Sequence, residues 1–307
     1  MIARYIVILL IIVLSVSAFL LPKLPAQIPI YKKYLKKTGV ANHHLEKYPV
    51  PATTYKDAPE ITATSALVID FRNDISLFEK NPNLKHFPAS TTKLMTALTT
   101  LENCSPQTVV TVDQIEKEGT QMGLDVGDRI TVEHLLDGLL IASGNDAAYA
   151  LANSCSDSYQ HFMQSMNQKA KDLGMTNTHI VNPAGFDDNF QYSTAWDLTK
   201  LAKVAVANPL IAQIVATKST VVTDFGGNKT YYLENVNKLL GIDGVEGIKT
   251  GQTEGSLENL ITKTTRNGNS IIVVILGSRD RFGETEQLID WVFNNYQWVN
   301  TTEPTSR

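Results

Sequence analysis

The stretch Pro88-Ala-Ser-Thr-Thr-Lys-Leu-Met-Thr-Ala-Leu-Thr-Thr-Leu101 decides how the rest of this chain is arranged. Its apolar residues recur at helical spacing, which predicts a largely buried helix. Ser90 and Lys93 are three positions apart in the first turn, so their side chains leave the same face. The unpaired N–H groups and the positive end of the helix dipole lie there too, which suits a developing oxyanion. A desolvated lysine with a lowered pKa can activate a serine nucleophile, although this pair alone is weak evidence.

Two further motifs follow the serine–lysine pair. Ser143-Gly144-Asn145 begins 53 positions after Ser90, and Lys249-Thr250-Gly251 begins another 106 positions later. Three short motifs in this order, each at the edge of a predicted helix or strand, form a strong joint signal. The chain here resembles the serine DD-peptidases, or penicillin-binding proteins. More narrowly, it resembles the low-molecular-weight D-alanyl-D-alanine carboxypeptidases.

The resemblance covers roughly Pro59 to Trp298. It includes two longer phrases, Asn182-Pro-Ala-Gly-Phe-Asp187 and Tyr192-Ser-Thr-Ala-Trp-Asp-Leu198. Two stretches depart from the family pattern. Leu257-Glu-Asn259 stands where the family usually has a small residue or glycine, and Met122-Gly-Leu124 where it often has a serine-rich loop. These departures bear on specificity more than on the chemistry.

The resemblance implies a role for each motif. Ser90 would be the nucleophile, Lys93 its general base, and Ser143 a proton relay toward the leaving group. Asn145 would hold the substrate amide, because its side chain can both donate and accept. A plain helix cap is the alternative reading of Ser143-Gly-Asn145.

The third motif reads as an edge strand beside the site. Lys249 would attract the terminal carboxylate of a substrate, Thr250 would hydrogen-bond it, and Gly251 would leave room for the substrate backbone. By resemblance, the backbone N–H groups of Ser90 and Gln252 would form the oxyanion hole.

A carboxypeptidase also recognises a free C-terminal carboxylate, for which a bidentate arginine is suited. Arg281 aligns with the family's arginine ahead of the closing helix, and Arg279 is the close alternative. A solvated arginine without such a role is the plain reading.

Strand patterns at both ends of the soluble part surround a helical middle. This order predicts an α+β fold, an antiparallel β-sheet flanked by helices, as in the family. The predicted strands are Ser65–Asp70, Ile75–Glu79, Gln107–Thr111, Ser219–Thr223, Tyr231–Leu233, Gly247–Thr250, Leu257–Thr265 and Ser270–Gly277, with a hairpin turn at Arg266–Asn269. Beyond the first helix, the predicted helices are Thr131–Ile141, Asp146–Asn153, Ser158–Leu173, Thr194–Ala207 (capped by Ser193) and Glu284–Trp298.

The domain plan begins with residues 1–21, a membrane anchor or an export signal. Tyr5 to Leu21 carries no charge over 17 residues, slightly short for a span of about 20. We favour an uncleaved anchor, because the apolar run continues past the small-residue site at Val16-Ser-Ala18. Residues 22–59 form a Pro- and Lys-rich tether, 60–300 the catalytic domain, and 301–307 a tail.

This plan predicts attachment to the cell membrane at its extracytoplasmic face, or release if the segment is cleaved. The lysines that follow the segment would favour the opposite orientation. The family resemblance, which places the substrate outside, outweighs that bias.

Bulk composition excludes other classes. A net charge of −4 and a pI near 5.9 argue against a nucleic-acid binder. The chain has no zinc-type or EF-hand spacing and no phosphate-binding glycine loop, and the resemblance implies neither metal nor organic cofactor. Cys104 and Cys155 could form one disulfide or remain as two buried thiols.

The expected activity is a serine DD-carboxypeptidase that removes the terminal D-Ala from a peptidoglycan stem pentapeptide, with β-lactams as covalent inhibitors. A DD-endopeptidase using the same residues is the main alternative. A class A β-lactamase would need a glutamate between the second and third motifs, and from His134 to Leu233 there is none. A catalytically idle wall-binding protein is a third alternative.

Overall fold

The computed structural model describes residues 47–54 and 56–300. Its strands are β1 Lys47–Pro51, β2 Ser65–Asp70, β3 Ser76–Lys80, β4 Val109–Thr111, β5 Arg129–Thr131, β6 Ser219–Thr223, β7 Thr230–Glu234, β8 Val245–Thr253, β9 Leu257–Arg266, β10 Asn269–Ser278 and β11 Tyr296–Asn300. Its α-helices are α1 Lys93–Asn103, α2 Val132–Leu140, α3 Asn145–Ser154, α4 Tyr159–Asp172, α5 Ala195–Ala207, α6 Pro209–Val215 and α7 Arg281–Asn295. A 3₁₀ turn, Ala89–Thr92, leads directly into α1. The predicted anchor, most of the predicted tether and the tail lie outside these residues.

The centre of the domain is a five-stranded antiparallel sheet in the order β3-β2-β10-β9-β8. Strands from the two ends of the domain pair inside it, since β2 lies beside β10 with Val68 opposite Val273. The predicted α+β class is confirmed. β8, which carries the third motif, forms one edge of this sheet.

Alternation along the central strand explains why both faces of the sheet are covered. On β10, Ile272, Val274 and Leu276 point into the larger core under helices α1 to α6. Ile271, Val273 and Ile275 point into the smaller core under α7. Successive strand residues face opposite sides, so a continuous apolar run marks a strand buried on both faces.

Most predicted elements are present with shifted ends. The turn between β9 and β10 has positive φ at Asn267 (52°) and Gly268 (75°), as expected for an Asn-Gly hairpin. Thr131 caps α2 by accepting from the His134 N–H. The cap of α5 was assigned to the wrong residue: Thr194 accepts from the Asp197 N–H, while Ser193 Oγ contacts Thr178 Oγ1 at 2.8 Å.

The closing helix was predicted too long. It ends at Asn295, and the following residues form β11, which pairs with β1 in the register Lys47 opposite Asn300. β1 lies within the stretch predicted as a tether, so that part is folded onto the domain. The sequence did not predict β1, because its prolines are typical of a linker and its partner strand β11 is distant in sequence.

Helix α6 was not predicted. Asn208 accepts from the Leu210 and Ile211 N–H groups, and Pro209 occupies the first helical position, a favoured start for a helix. Within the described ranges no single helix has the length and apolar composition of a membrane span; α5 and α6 reach it only as a pair bent by 105°.

The two cysteines form a disulfide, which resolves the alternative left by the sequence. Cys104 follows α1 and Cys155 follows α3, and their Cα atoms are 5.4 Å apart. The bond ties the helix of the first motif to the helix that starts at the second.

Candidate active site

Ser90 and Lys93 lie at the start of α1, as predicted. Ser90 is in the 3₁₀ turn and Lys93 is the first residue of the helix, and both side chains leave the same side. Lys93 Nζ is 2.8 Å from Ser90 Oγ, 2.6 Å from Asn145 Oδ1 and 2.8 Å from the Ala184 carbonyl oxygen. The nucleophile candidate therefore has an amine within proton-transfer distance.

The environment of Lys93 favours a neutral amine. Its side chain is fully buried, and burial is the main reason that its pKa lies well below 10.5; the nearby Lys249 lowers it further, against a smaller opposing effect of Asp146. An ammonium group without solvent is costly, so burial shifts the equilibrium toward the uncharged form.

The second motif faces the third across the site. Ser143 has a positive φ of 61° and lies two residues before the start of α3, and its hydroxyl accepts from Lys249 Nζ at 2.8 Å. Asn145, the first residue of α3, donates through Nδ2 to the Glu118 carbonyl at 2.8 Å. Burial lowers the pKa of Lys249 to about 7, with a further contribution from Arg281.

The third motif, Lys249–Gly251, lies in the second half of β8 and ends two residues before the strand does. Thr250 and Gly251 are buried and Gln252 is exposed. A Cβ atom at Gly251 would be 3.0 Å from Ala89 Cβ and 3.1 Å from the Ser90 backbone nitrogen. The sequence predicts that this glycine leaves room for the substrate; in the structure it lets β8 approach the 3₁₀ turn Ala89–Thr92, which we call the nucleophile turn because it carries the candidate nucleophile Ser90.

Arg281, rather than Arg279, reaches this strand. Its Nη1 donates to the Gly251 carbonyl at 2.9 Å, and its backbone N–H donates to Glu258 Oε2 at 3.0 Å. Arg279 is exposed, and its backbone N–H donates to Thr62. Arg281 is thus the arginine placed to act with Lys249.

The segment 182–187 packs against the nucleophile turn through Gly185. Asn182 Oδ1 accepts from the Gly185 and Phe186 N–H groups at 2.8 and 3.0 Å. Gly185 has a φ of 96°, and a Cβ there would come within 1.9 Å of the Ala89 carbonyl oxygen. Only glycine fits, which explains this part of the family phrase.

Asp146 is a buried residue of the site that sequence reasoning missed. One carboxylate oxygen accepts from the Met122 N–H at 2.9 Å, and the other from Gly123 at 2.9 Å and Leu124 at 3.0 Å. These three residues are the stretch noted as a departure from the family pattern. The carboxylate directly after the second motif was the available signal, but its contacts are 22 to 24 residues away.

The other departure also has a structural account. Leu257 has a positive φ of 53° and is exposed, in a conformation that glycine adopts at less cost. Asn259 is buried, donating to the Phe87 carbonyl at 2.9 Å and accepting from the Gly277 N–H at 2.9 Å. It therefore fixes the segment that leads into the nucleophile turn.

These elements enclose a cleft of about 460 Å³. One wall comes from residues 118–120, between β4 and β5, one from the 184–187 segment, and one from the end of β8 and the turn after it. The lining residues are Ser90, Glu118, Gly119, Thr120, Asn145, Ala184, Gly185, Phe186, Asp187, Gln252, Thr253 and Glu254. Across the described residues, no three His, Cys, Asp or Glu side chains cluster as metal ligands.

The chain matches known proteins over most of its length. The family model of D-alanyl-D-alanine carboxypeptidases matches residues 52–280. The carboxypeptidase DacF of Bacillus subtilis is 33% identical over 247 residues, covering 76% of this chain and 63% of the relative. A D-alanyl-D-alanine endopeptidase of Escherichia coli is 31% identical, and the match covers 78% of this chain and 80% of the endopeptidase. The chain spans less than two thirds of DacF and 65% of DacC of Escherichia coli.

Solved structures agree in fold. The Streptomyces K15 DD-transpeptidase superposes with a TM-score of 0.72 at 30% identity, covering 78% of this chain and all of that one. A putative penicillin-binding protein homologue from Mycobacterium tuberculosis gives 0.74 at 30% identity, covering 84% and 98%. With the family model matching three quarters of the sequence, this chain belongs to the D-alanyl-D-alanine carboxypeptidase family.

Proposed function

We propose that this protein is a serine DD-carboxypeptidase, which removes the terminal D-Ala from peptidoglycan stem peptides through an acyl-Ser90 intermediate. The fold, the family and the contacts that join the three motifs around Ser90 support this activity. The roles of the individual residues follow from their geometry.

One observation carries the proposal: the hydrogen bonding of Lys93. A neutral amine has two N–H groups and one lone pair. With its N–H groups given to Asn145 Oδ1 and the Ala184 carbonyl, the lone pair faces Ser90 Oγ at 2.8 Å. The lowered pKa of Lys93 favours this form. The serine proton then has an acceptor in place before the substrate arrives.

Acylation follows from this arrangement. Lys93 takes the Ser90 proton as the oxygen attacks the carbonyl of the D-Ala–D-Ala bond. The N–H groups of Ser90 and Gln252 stabilise the oxyanion, and Lys249 and Arg281 hold the terminal carboxylate. Collapse of the tetrahedral intermediate breaks the C–N bond. The proton that Lys93 took from Ser90 passes through Ser143 to the leaving nitrogen, so D-Ala departs as the free amine and Lys93 is neutral again.

Deacylation then regenerates free Ser90. Water, giving its proton to Lys93, attacks the acyl ester, and Ser90 regains its proton as the shortened peptide departs. A β-lactam would acylate Ser90 by the same attack. Its ring-opened leaving group stays attached, so we propose that β-lactams act as lasting inhibitors.

We also propose that the protein works at the extracytoplasmic face of the cell membrane, held by residues 1–21. The uncharged run at 5–21 and the location of peptidoglycan support this placement. A DD-endopeptidase is the second candidate activity, supported by the similarity to the Escherichia coli endopeptidase.

The test uses purified protein and its Ser90→Ala variant. Each is incubated with a diacyl-Lys-D-Ala-D-Ala peptide and with a labelled penicillin, and D-Ala release and protein mass are followed. We expect D-Ala release and a stable penicilloyl adduct, both lost in the variant. An adduct without D-Ala release would favour the endopeptidase activity. Cleavage of cross-linked stem peptides would then be measured. Rapid drug turnover would indicate a β-lactamase, and no adduct at all would refute the acyl-serine mechanism.

A further inference from the structure

A second cavity adjoins the candidate cleft. It has a volume of about 430 Å³ and mixes aromatic walls with polar groups. We call it the Lys85 pocket; it is lined by Lys85, His86, Phe87, Asn189, Gln191, Tyr192 and Gly255. No role in the chemistry described above falls to these residues.

A single carboxylate separates the pocket from the cleft. Asp187 Oδ1 accepts from Thr253 Oγ1 at 2.6 Å, and its Oδ2 accepts from the Gly255 N–H at 2.8 Å. Asp187 and Thr253 line the cleft and Gly255 lines the pocket. A chain that leaves the cleft along the end of β8 therefore passes directly over the pocket.

Lys85 is the cationic group that lines the pocket and is available to bind a ligand. Its Nζ lies 3.9 Å from the centre of the Tyr192 ring, and it forms no salt bridge with residues 47–54 or 56–300. The Gln191 amide is already used, since its oxygen accepts from two backbone N–H groups and its nitrogen donates to Phe186. His86 Nε2 is bound to the Ser256 carbonyl. An exposed ammonium held over an aromatic ring favours an anionic partner.

Charges alternate along the path of a bound peptide. Lys249, with Arg281 beside it, precedes the point where Gly251 meets Ser90. Three exposed acids, Glu118, Asp187 and Glu254, line the cleft beyond that point, and Asp187 is the one next to the pocket. Lys85 follows in the adjoining pocket. The order is cationic, acidic, cationic.

A peptidoglycan stem peptide carries the complementary order. From its C-terminus come a carboxylate, then the amine of the third residue, then the α-carboxylate of the γ-linked D-glutamate. Gly255 lies in the turn after β8, four residues from Gly251, so the two residues are at most about 14 Å apart. The path from the scissile bond through the third residue and the longer γ-linkage is roughly 10 Å.

We propose that the Lys85 pocket is a substrate subsite for the α-carboxylate of the stem peptide's γ-linked D-glutamate. This proposal rests on the proposed DD-carboxypeptidase function, and it adds a determinant of peptide choice. A stem peptide with free D-glutamate is preferred over the same peptide with D-isoglutamine, whose carboxamide is neutral.

The experiment compares three substrates: diacetyl-Lys-D-Ala-D-Ala, L-Ala-γ-D-Glu-L-Lys-D-Ala-D-Ala, and that pentapeptide with D-isoglutamine. For the native protein we expect kcat/KM for the D-glutamate peptide to exceed that for the amidated one about threefold to tenfold, as for a charge-assisted contact near the surface. The preference shrinks as salt rises. Equal rates for the two pentapeptides would overturn the proposal.

Variants assign the preference to the pocket. Lys85→Gln abolishes it and leaves the tripeptide rate and penicillin acylation unchanged, and Lys85→Glu reverses it. Lys218→Gln, an exposed lysine that lines neither cavity, is the matched control and keeps the preference. A rate loss for Lys85→Gln that is equal on all three substrates would overturn the subsite.

A binding measurement separates this proposal from the proposed function. Tetrapeptides that lack the terminal D-Ala are tested for protection of Ser90 against labelled penicillin, with D-glutamate or D-isoglutamine. Stronger protection by the D-glutamate form, lost in Lys85→Gln, supports the subsite even if no D-Ala is released from any peptide. D-Ala release without any such difference would refute the subsite and leave the carboxypeptidase in place.

Discussion

Two buried lysines give the site its chemical asymmetry. Lys93 is fully buried and Lys249 nearly so, and the positive charge of Lys249 is one reason that the pKa of Lys93 is lowered. Two adjacent cations would repel each other, so the stable state has one neutral and one charged amine. The lowered pKa of Lys93 favours a neutral amine beside Ser90, and Lys249, beside Ser143, is the charged one below a pH of about 7.

The pH dependence of acylation should reflect the different protonation states of Lys93 and Lys249. Lys249 has a pKa of about 7, so it is cationic below that pH and neutral above it. If its charge holds the substrate carboxylate, kcat/KM for D-Ala release falls as the pH rises through about 7. It also falls at low pH, where Lys93 becomes protonated.

The Lys249→Arg variant tests the alkaline limb. Arginine remains charged throughout this range, so we expect the fall near pH 7 to disappear while the acid limb remains. Rates with the tripeptide between pH 5 and 10 are the measurement. An alkaline limb that persists unchanged in this variant would assign it to another group.

At the scale of elements, the site depends on the close contact between β8 and the 3₁₀ turn. Gly251 and Gly185 approach that turn from two sides. A Cβ atom at Gly185 would overlap the Ala89 carbonyl, and one at Gly251 would force its neighbours to move by a few tenths of an ångström. The turn is therefore held between a strand edge and a loop, which fixes the Ser90 N–H and hydroxyl relative to the strand.

Gly251→Ala should separate activity from folding. The added methyl would push β8 from Ser90 by a few tenths of an ångström. Because a displacement of about 1 Å can cost on the order of 100-fold in rate, this smaller shift should cost about tenfold. We expect that loss in penicillin acylation, with the circular dichroism spectrum retained. The comparison is Gly268→Ala, where a Cβ has open space but φ is positive; it should cost about 1–2 kcal/mol of stability and leave acylation unchanged. Native acylation rates in Gly251→Ala would contradict this role.

Local patterns predicted most of these elements, and distant pairing explains what they missed. The strands of the main sheet and the turn at Asn267 follow from periodicity and turn chemistry. β8 was predicted at less than half its length because Gly247, Gly251 and polar residues interrupt its pattern. β1 and β11 are about 250 positions apart, and neither is strand-like alone.

The same limit applies to the site. The predicted side chains of the three motifs come together because the first two motifs lie at helix starts and the third lies on the edge strand that the fold places beside them. The contacts of Asp146 with the 122–124 backbone and of Asn259 with Phe87 depend on tertiary structure. No spacing in the sequence encodes them.

At the scale of the whole molecule, the disulfide is the one covalent link between the helices that carry the first two motifs. It joins residues 51 positions apart. Closing a loop of that size reduces the entropy of the unfolded chain, worth about 4 kcal/mol.

Replacing both cysteines by alanine should therefore lower the free energy of unfolding by about 2–5 kcal/mol in urea. Penicillin acylation should persist at low temperature, because neither cysteine lines the cleft. Reduction of the native protein with dithiothreitol should shift the urea midpoint in the same direction, whereas the double variant should not respond. Equal midpoints for native and double variant would show that the bond adds no stability.

The pairing of β1 with β11 brings the two ends of the described domain next to each other. Lys47 and Asn300 are directly opposite each other in an antiparallel pair, so their Cα atoms are about 5 Å apart. A two- to five-residue hairpin would join them. A circular permutant closed there could be opened at Asn267-Gly268, an exposed turn on which no catalytic contact depends. The order of the three motifs along the chain would be kept, and the domain would carry its ends on a different side.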